Sequence, residues 1–503
     1  MPDPQRASMR LQVCLFLALL ITYAYFFQGG GWHQNSRFDL TRAIVEDGSV
    51  RINRFAGNTH DWARVENRLL SNKAPGLSFL AAPLYAVLRS VLPAGDDDPF
   101  RMSIQVHFIV IFTVSLASAI LGVVILRFLH LWANEPSIRP VVCLLAYSLG
   151  SLAFPWSTQL MAHQLGAALL FGAAALIYAE KKRDWSGGDK PLLLAGVILG
   201  LAGTVEETSI FVIPILLAYG LWVGGWRRAL MICAGGIGPA AALATYNAFA
   251  FGGPLLTAHD FQNPRFVTGE PGTLLGVLGA PDLRVLLELT FLPRRGLFYY
   301  CPVLLFAAAG LVAAVRRRES RPEAVTFLSA FIVVLLFNAS FNGWHGGWST
   351  GPRYLIPALP FLAVGLVWTP RVLRSSAWVA GAISIVLMTA VTAVNVSVPQ
   401  DNRNAAAALP PGESRVDDVR DPVRNYVLPR FASGDLSVHR QHMSESFIGQ
   451  RLSPPEQKWA AYNVGELMGL RGLSSLVPLL LSWIVLGSIA AWRPRRSSIS
   501  LDR

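Results

Sequence analysis

Charge is what this 503-residue chain has least of. Only 15% of its residues are Asp, Glu, Lys or Arg, against 53% hydrophobic residues, and the mean hydropathy is +0.43. Soluble domains carry about a quarter charged residues, so the shortage excludes an ordinary water-solvated domain. Lysine is scarcer still: Lys73, Lys181, Lys182, Lys190 and Lys458 are all there is, and the other 38 basic residues are arginine. The four cysteines (Cys14, Cys143, Cys233, Cys301) lie far apart in apolar runs with no Cys-x-x-Cys spacing. That excludes a zinc cluster and a disulfide scaffold and leaves them as small apolar filler. No repeat relates the two halves of the chain.

What fills the chain instead is hydrocarbon. A membrane-spanning helix needs about 20 mostly apolar residues. Twelve runs qualify: 11–28, 105–129, 139–155, 163–180, 191–205, 208–225, 229–250, 298–315, 323–341, 354–369, 376–397 and 473–492. Arg6 and Arg10 place the N-terminus in the cytoplasm, and the first run has no small-residue cleavage site after it, so it reads as a retained anchor. The stretch 76–92 is apolar but carries Pro83 and Arg89. Counting it as a span would put Lys181-Lys182-Arg183, Arg227-Arg228 and Arg316-Arg317-Arg318 outside. Laying it along the outer interface puts all of them inside, as the positive-inside rule requires. With that parity the inner segments hold 20 Lys/Arg and 8 Asp/Glu and the outer segments 23 of each, so the whole net charge of +12 lies inside. It is a topology signal and needs no nucleic acid to explain it.

The expected fold is therefore an all-α polytopic membrane protein of about twelve spans, both termini cytoplasmic, with a long first outer loop (29–104) carrying juxtamembrane helices. Residues 1–397 form the principal transmembrane region, 398–472 an outer loop that begins Pro/Ala-rich and shows no core periodicity, and 473–503 the last span with a basic tail. Other outer segments are 251–297 and short turns near 155–162, 204–208 and 342–353.

Polar groups gather at the outer ends of the spans, where ionisable residues invite functional readings. The segment 37–48 reads as a short amphipathic helix with Phe38, Thr41 and Val45 toward lipid, Gly48 as its stop and Asp39 near its start, where the helix dipole favours a carboxylate. Asp61 suits either the cap of a helix over 61–69 or an active-site acid. Lys73, followed by Ala74-Pro75-Gly76, sits at headgroup depth beside a helix start, where an ammonium can hold a phosphate or simply snorkel. His163 opens a span, and Glu206-Glu207 interrupts an apolar stretch, where two adjacent acids need solvent, partners or shifted pKa values. Arg295 lies in Pro293-Arg294-Arg295-Gly296. The segment from Gly343 to Tyr354 is the densest, with Trp344, His345, Trp348, Arg353 and four glycines. Arginines there suit phosphate, tryptophans suit sugar faces, and glycines allow close backbone approach.

At these residues the chain resembles the GT-C superfamily of lipid-linked glycosyltransferases, particularly the protein-mannosyltransferase-like and aminoarabinose-transferase-like bacterial members. Asp39 and Lys73-Ala74-Pro75-Gly76 stand where that family has an acid after the first span and a Lys-Pro segment opening a juxtamembrane helix. Asp39 is single where the family often has a pair, so Asp61 is its rival. The resemblance implies an integral membrane glycosyltransferase of the bacterial inner membrane, moving a sugar from a polyprenyl-phosphate donor to an envelope glycan, lipid or protein on the periplasmic face, by an aspartate-assisted, inverting displacement. Asp39 or Asp61 would be catalytic, and Lys73, Arg295 and Arg353 would bind the donor phosphate. His163, Glu206, Trp344, His345 and Trp348 would line the sugar or acceptor. No metal ligand set and no cofactor are expected, with a divalent metal left open. With no G-x-G-x-x-G fingerprint and no large cytoplasmic domain, a nucleotide-sugar donor is disfavoured. The competing class is a twelve-span transporter or flippase of lipid-linked sugars, against which stand the unmatched halves and the acids at helix ends.

Overall fold

The protein is described by a computed structural model covering residues 9–95, 98–133, 138–266, 277–398, 421–437, 447, 456 and 459–492. Most of the predicted outer loop 398–472, including its Pro/Ala-rich start, and part of 251–297 lie outside the described residues. The first apolar run forms α1 (Met9–Ala24), which leads through β1 (Phe26–Phe27) into α2 (Trp32–Glu46). A hairpin of β2 (Trp62–Val65) and β3 (Arg68–Ser71) precedes α3 (Gly76–Val91). The helices that follow are α4 (Pro99–Ala133), α5 (Arg139–Gly150), α6 (Ala162–Lys182), α7 (Lys190–Val205), α8 (Ser209–Gly224) and α9 (Trp226–Phe251). After α10 (Leu283–Thr290) come α11 (Val303–Val315), α12 (Arg321–Ser340), α13 (Arg353–Trp368) and α14 (Arg371–Val394). The chain returns by β4 (Tyr462–Asn463), antiparallel to β1, and ends in α15 (Gly472–Ala491).

Each of the twelve predicted runs falls on an apolar helix. Among the described residues six of these are long and apolar enough to cross a bilayer: α4, α6, α9, α12, α14 and α15. The chain is a multi-pass membrane protein. Only 11% of the apolar window of α9 and 6% of that of α15 is buried within the protein, the reverse of what water tolerates and what hydrocarbon requires.

The basic clusters share one end of the bundle. Lys181 at the end of α6 pairs with the fully buried Glu323 of α12 at 2.6 Å, Arg228 lies over Trp185, and Arg317 lies over Trp368. The opposite end, called here the first-loop end, carries α2, the hairpin and α3. Both ends of α3 are held there: Gly76 packs against Thr204 at the end of α7, and Arg89 reaches Glu46 of α2 at 2.7 Å.

Two local expectations are corrected. The predicted helix over 37–48 begins at Trp32, so Asp39 is mid-helix and the dipole argument for it fails. Phe38 does not face lipid; it is fully buried, edge-on to Tyr85 and Phe447, because α3 covers that face of α2. The helix predicted over 61–69 is a hairpin instead. Glu66 takes a positive φ of 53° at the turn, and Ala63 and Leu70 pair across the strands and bury together, which is a period-two pattern.

Candidate active site at the first-loop end

The hairpin register creates the first element of the site. Trp62 pairs with Ser71, so the residues flanking the two strands emerge side by side. Asp61 precedes one strand and Lys73 follows the other, and Lys73 Nζ lies 3.1 Å from Asp61 Oδ2 with both side chains partly open, 18% and 13% exposed. Ser36 of α2 donates to the Asp61 carbonyl and contacts Ser71 Oγ at 2.8 Å, which fixes the hairpin on α2.

Close backbone packing then brings α3, α6 and α7 together. A Cβ on Gly76 would lie 2.7 Å from the Thr204 carbonyl, so only glycine lets the start of α3, and Lys73 before it, press on the end of α7. On the other side, a Cβ on Gly166 would lie 2.7 Å from Glu206 Cβ. Gly166 stands one turn beyond His163, and the space it leaves lets Glu206 Oε2 come within 2.8 Å of His163 Nδ1, both side chains buried. Thr208 donates to the other Glu206 oxygen at 3.0 Å. Burial pushes the Glu206 carboxyl up, but His163 and Arg37 outweigh it and the net displacement is downward.

Glu207, the second acid of the pair, turns outward to His259 at 2.9 Å, with side chains 46% and 44% exposed. His259 belongs to the loop after α9, which docks on the hairpin: Asn263 donates its backbone N–H to the Trp62 carbonyl and its side chain to the His60 carbonyl. Against the opposing effect of burial, His259, Lys73 and Arg37 draw the Glu207 carboxyl down to about 2, and Glu207 raises His259. Glu207 is thereby held as a carboxylate, and it favours the protonated form of His259.

Behind this mouth lies a buried layer. His33 and Arg37, one turn apart on α2, face α6. The His33 ring is 5.7 Å from that of His163, and Arg37 donates to the Ala74 carbonyl at 2.9 Å. Tyr354 stacks edge-on to His163 at 5.8 Å and accepts from the neighbouring Arg353 at 3.2 Å. Sequence reading does not single out His33, which stands after Trp32 at the end of the glycine run Gly29–Gly31, and nothing local distinguishes it.

Asp39 stands apart from this cluster. It lies two residues past Arg37, about 200° around the helix. It is fully buried and accepts from Asn58 at 3.2 Å, and burial pushes its carboxyl well above the usual range, against the formation of a carboxylate. Arg295 is also committed elsewhere. It is fully buried and its two terminal nitrogens donate to the carbonyls of Ser349 and Gly347, so its fork fastens the 343–351 loop and is not open to a phosphate. That loop turns on Gly346, Gly347 and Gly351, all at positive φ, which explains the clustered glycines as backbone geometry. It holds Trp344 beneath Arg294 and His345 beside it, with Trp348 half-buried. Burial, then the charges of Arg295, Arg294 and Arg353, lower His345 to about 4. Through Arg353 this loop adjoins the cluster. Among the described residues no three His, Cys, Asp or Glu side chains form a group able to hold a metal ion.

The helical membrane bundle thus brings paired acids and cations together at its first-loop end. The family model of glycosyltransferase family 87 matches residues 78–340, just over half of the sequence, and the chain belongs to that family. It is a membrane glycosyltransferase, and the GT-C resemblance holds at superfamily level. The match begins after Lys73, so it includes His163, Glu206, Glu207 and His259 but not Asp61, Lys73 or Arg353. No curated protein matches the chain. Among solved structures it is similar to ArnT from Cupriavidus metallidurans bound to undecaprenyl phosphate, at 14% identity and TM-score 0.44 over 95% of this chain and 76% of that one. The apo state of the same protein gives 15% and 0.43 over 95% and 75%.

Proposed function

We propose that the chain transfers a sugar from a polyprenyl-phosphate donor to an envelope acceptor at the outer face of the bacterial inner membrane. The observation that carries this reading is the Asp61–Lys73 pair, a carboxylate and an ammonium 3.1 Å apart and partly open, at the mouth of a layer containing the buried Arg37 and the half-buried Arg353. A lipid phosphate lies at the depth where spans end, which is where Lys73 and Arg353 stand. In the proposed step Lys73 exchanges Asp61 for the donor phosphate, with Arg353 as the second cation. The freed Asp61 carboxylate takes the proton of the acceptor hydroxyl, the acceptor oxygen bonds to the anomeric carbon, and the bond from that carbon to the phosphate oxygen breaks. The electron pair leaves on the phosphate, held by the cations. Attack opposite the leaving group inverts the anomeric centre. Glu207, His259, Trp344 and His345 remain to meet sugar or acceptor.

The test compares two substitutions of one kind. Asp61→Asn removes the carboxylate that pairs with Lys73 and is expected to lower transfer about 100-fold or more, the usual worth of a general base. Asp39→Asn replaces a fully buried carboxyl, set apart from the cluster, by a near-isostere and is expected to cost less than about 5-fold. Transfer of radiolabelled sugar from a polyprenyl-phosphate donor by the purified variants measures both. Full activity of Asp61→Asn, or collapse of a folded Asp39→Asn, sinks the assignment.

A further inference from the structure

The buried layer contains a concentration of polar atoms with nothing to bind. Both ring nitrogens of His33, Nε2 of His163, Nε of Arg37 and Nε of Arg353 are buried without a hydrogen-bond partner. A buried polar group left unpaired costs about 1–3 kcal/mol, and native proteins rarely carry several together without a reason. His33 is the extreme case: it is 8% exposed and satisfies neither nitrogen.

The charges around it explain what it lacks. Arg37 faces it from its own helix, Lys73 from the connection between the hairpin and α3, Arg353 from the start of α13, and His163 from α6. The carboxylates of this cluster are already held, Asp61 by Lys73 and Glu206 by His163. The surroundings of His33 are therefore cationic, and an imidazolium there would be repelled. Burial first, then Lys73, Arg37 and Arg353, hold it neutral well below the usual histidine range.

An anion among these groups reverses that sign. We propose that His33 is a ligand of the donor phosphate, and that it binds a proton as the phosphate enters between Lys73 and Arg353. The inference rests on the proposed donor. On entry the phosphate offsets Lys73 and Arg353, the His33 lone pair takes one proton from solvent, and the resulting imidazolium donates to a phosphate oxygen. No covalent bond forms or breaks in this step. The positive charge so acquired lies beside the oxygen that departs with the electron pair, where it stabilises the leaving group.

The test uses the full-length protein in detergent and a short-chain prenyl methyl phosphodiester, whose single ionisation is complete at neutral pH, so that the probe itself releases or takes up no proton. Titration calorimetry in buffers of differing ionisation enthalpy gives the protons exchanged per ligand bound. Wild type is expected to take up between about 0.5 and 1 proton near pH 7, and its affinity to rise up to about tenfold per pH unit as pH falls, as linkage requires. In His33→Gln binding persists, the uptake falls to zero and the pH dependence flattens. In His163→Gln the uptake remains. Binding by wild type with no proton uptake and a flat pH profile overturns the inference while leaving the donor reading intact, and needs no variant to fold. Uptake that survives His33→Gln, or that is lost in His163→Gln alone, assigns the proton elsewhere and also overturns it. Absence of phosphodiester binding defeats the donor reading, and this inference with it.

Discussion

At the scale of single residues, the site depends as much on absent side chains as on charged ones. Gly166 illustrates this. It belongs to α6, where alanine is normally the better helix former by about 1 kcal/mol. Its missing Cβ is the space that Glu206 Cβ and Cγ occupy, at 2.7 and 3.0 Å from where that atom would stand. Gly166→Ala must therefore push the turn between α7 and α8 off α6 and separate Glu206 from His163. The expected outcome is a net loss of about 1–2 kcal/mol, seen as a lower melting temperature in detergent, together with reduced transfer. Gly172 on the same helix supplies the control, because a Cβ there meets nothing within 4 Å. Gly172→Ala is expected to be neutral or slightly stabilising. Equal behaviour of the two variants would show that close packing on Glu206 is unimportant.

Among the elements, α2 and α3 form the frame on which His33, Arg37 and Lys73 are held, and Glu46 joins them. Its side chain is 3% exposed and is met by Arg42 at 2.8 Å, Arg89 at 2.7 Å, Arg54 at 3.5 Å and the Tyr85 hydroxyl at 2.7 Å. Burial opposes its ionisation, but Arg42, Arg89 and Tyr85 prevail and bring it down to about 2. Since the folded value lies below the ordinary one near 4.5, the carboxylate contributes stability that is complete above about pH 5 and is lost as pH falls toward 2. Glu46→Gln is expected to cost about 2 kcal/mol at neutral pH. A fully buried pair costs about 3–5, and the half-exposed Arg54 and Arg89 reduce that figure. The variant should also show a smaller difference in melting temperature between pH 7 and pH 4, the remainder coming from other acids such as Glu207, and thermal unfolding at the two pH values reads this directly. The same elements mark where sequence reading stops. Hydropathy located every apolar helix, because each needs only its own composition. It could not separate Asp39 from Asp61. That distinction depends on which face of α2 meets α6 and on a hairpin register that joins Asp61 to Lys73 across eleven residues. His33 and the role of Arg295 depend on partners at positions 163 and 347–349, and no local pattern encodes them.

For the whole molecule, the charge distribution and the packing make one joint statement. The positive-inside rule fixes the parity that puts the lysine and arginine excess on one side, and the bundle gathers Lys181, Arg228 and Arg317 at the end opposite the hairpin. If the positive-inside rule holds, that end is cytoplasmic and the Asp61–Lys73 mouth faces outward. The orientation can be measured without reference to catalysis. Three native cysteines, Cys14, Cys143 and Cys301, are buried, and Cys233 lies exposed on α9, whose apolar surface meets lipid, so none should react quickly with a charged thiol reagent. A cysteine introduced at Asn67, at the hairpin turn, is expected to label in intact spheroplasts with a membrane-impermeant maleimide. One introduced at Lys182 is expected to label only after the membrane is opened. Had α3 crossed the bilayer, every later loop would change sides, and position 182 would label from outside together with position 67. Labelling of both from outside would therefore return α3 to the list of spans and separate Glu206 and His163 from the hairpin by the thickness of the membrane. The 2.7 Å contact of Arg89 Nη1 with Glu46 Oε2 and the packing of Gly76 on Thr204 argue against that outcome, because together they hold both ends of α3 at one face.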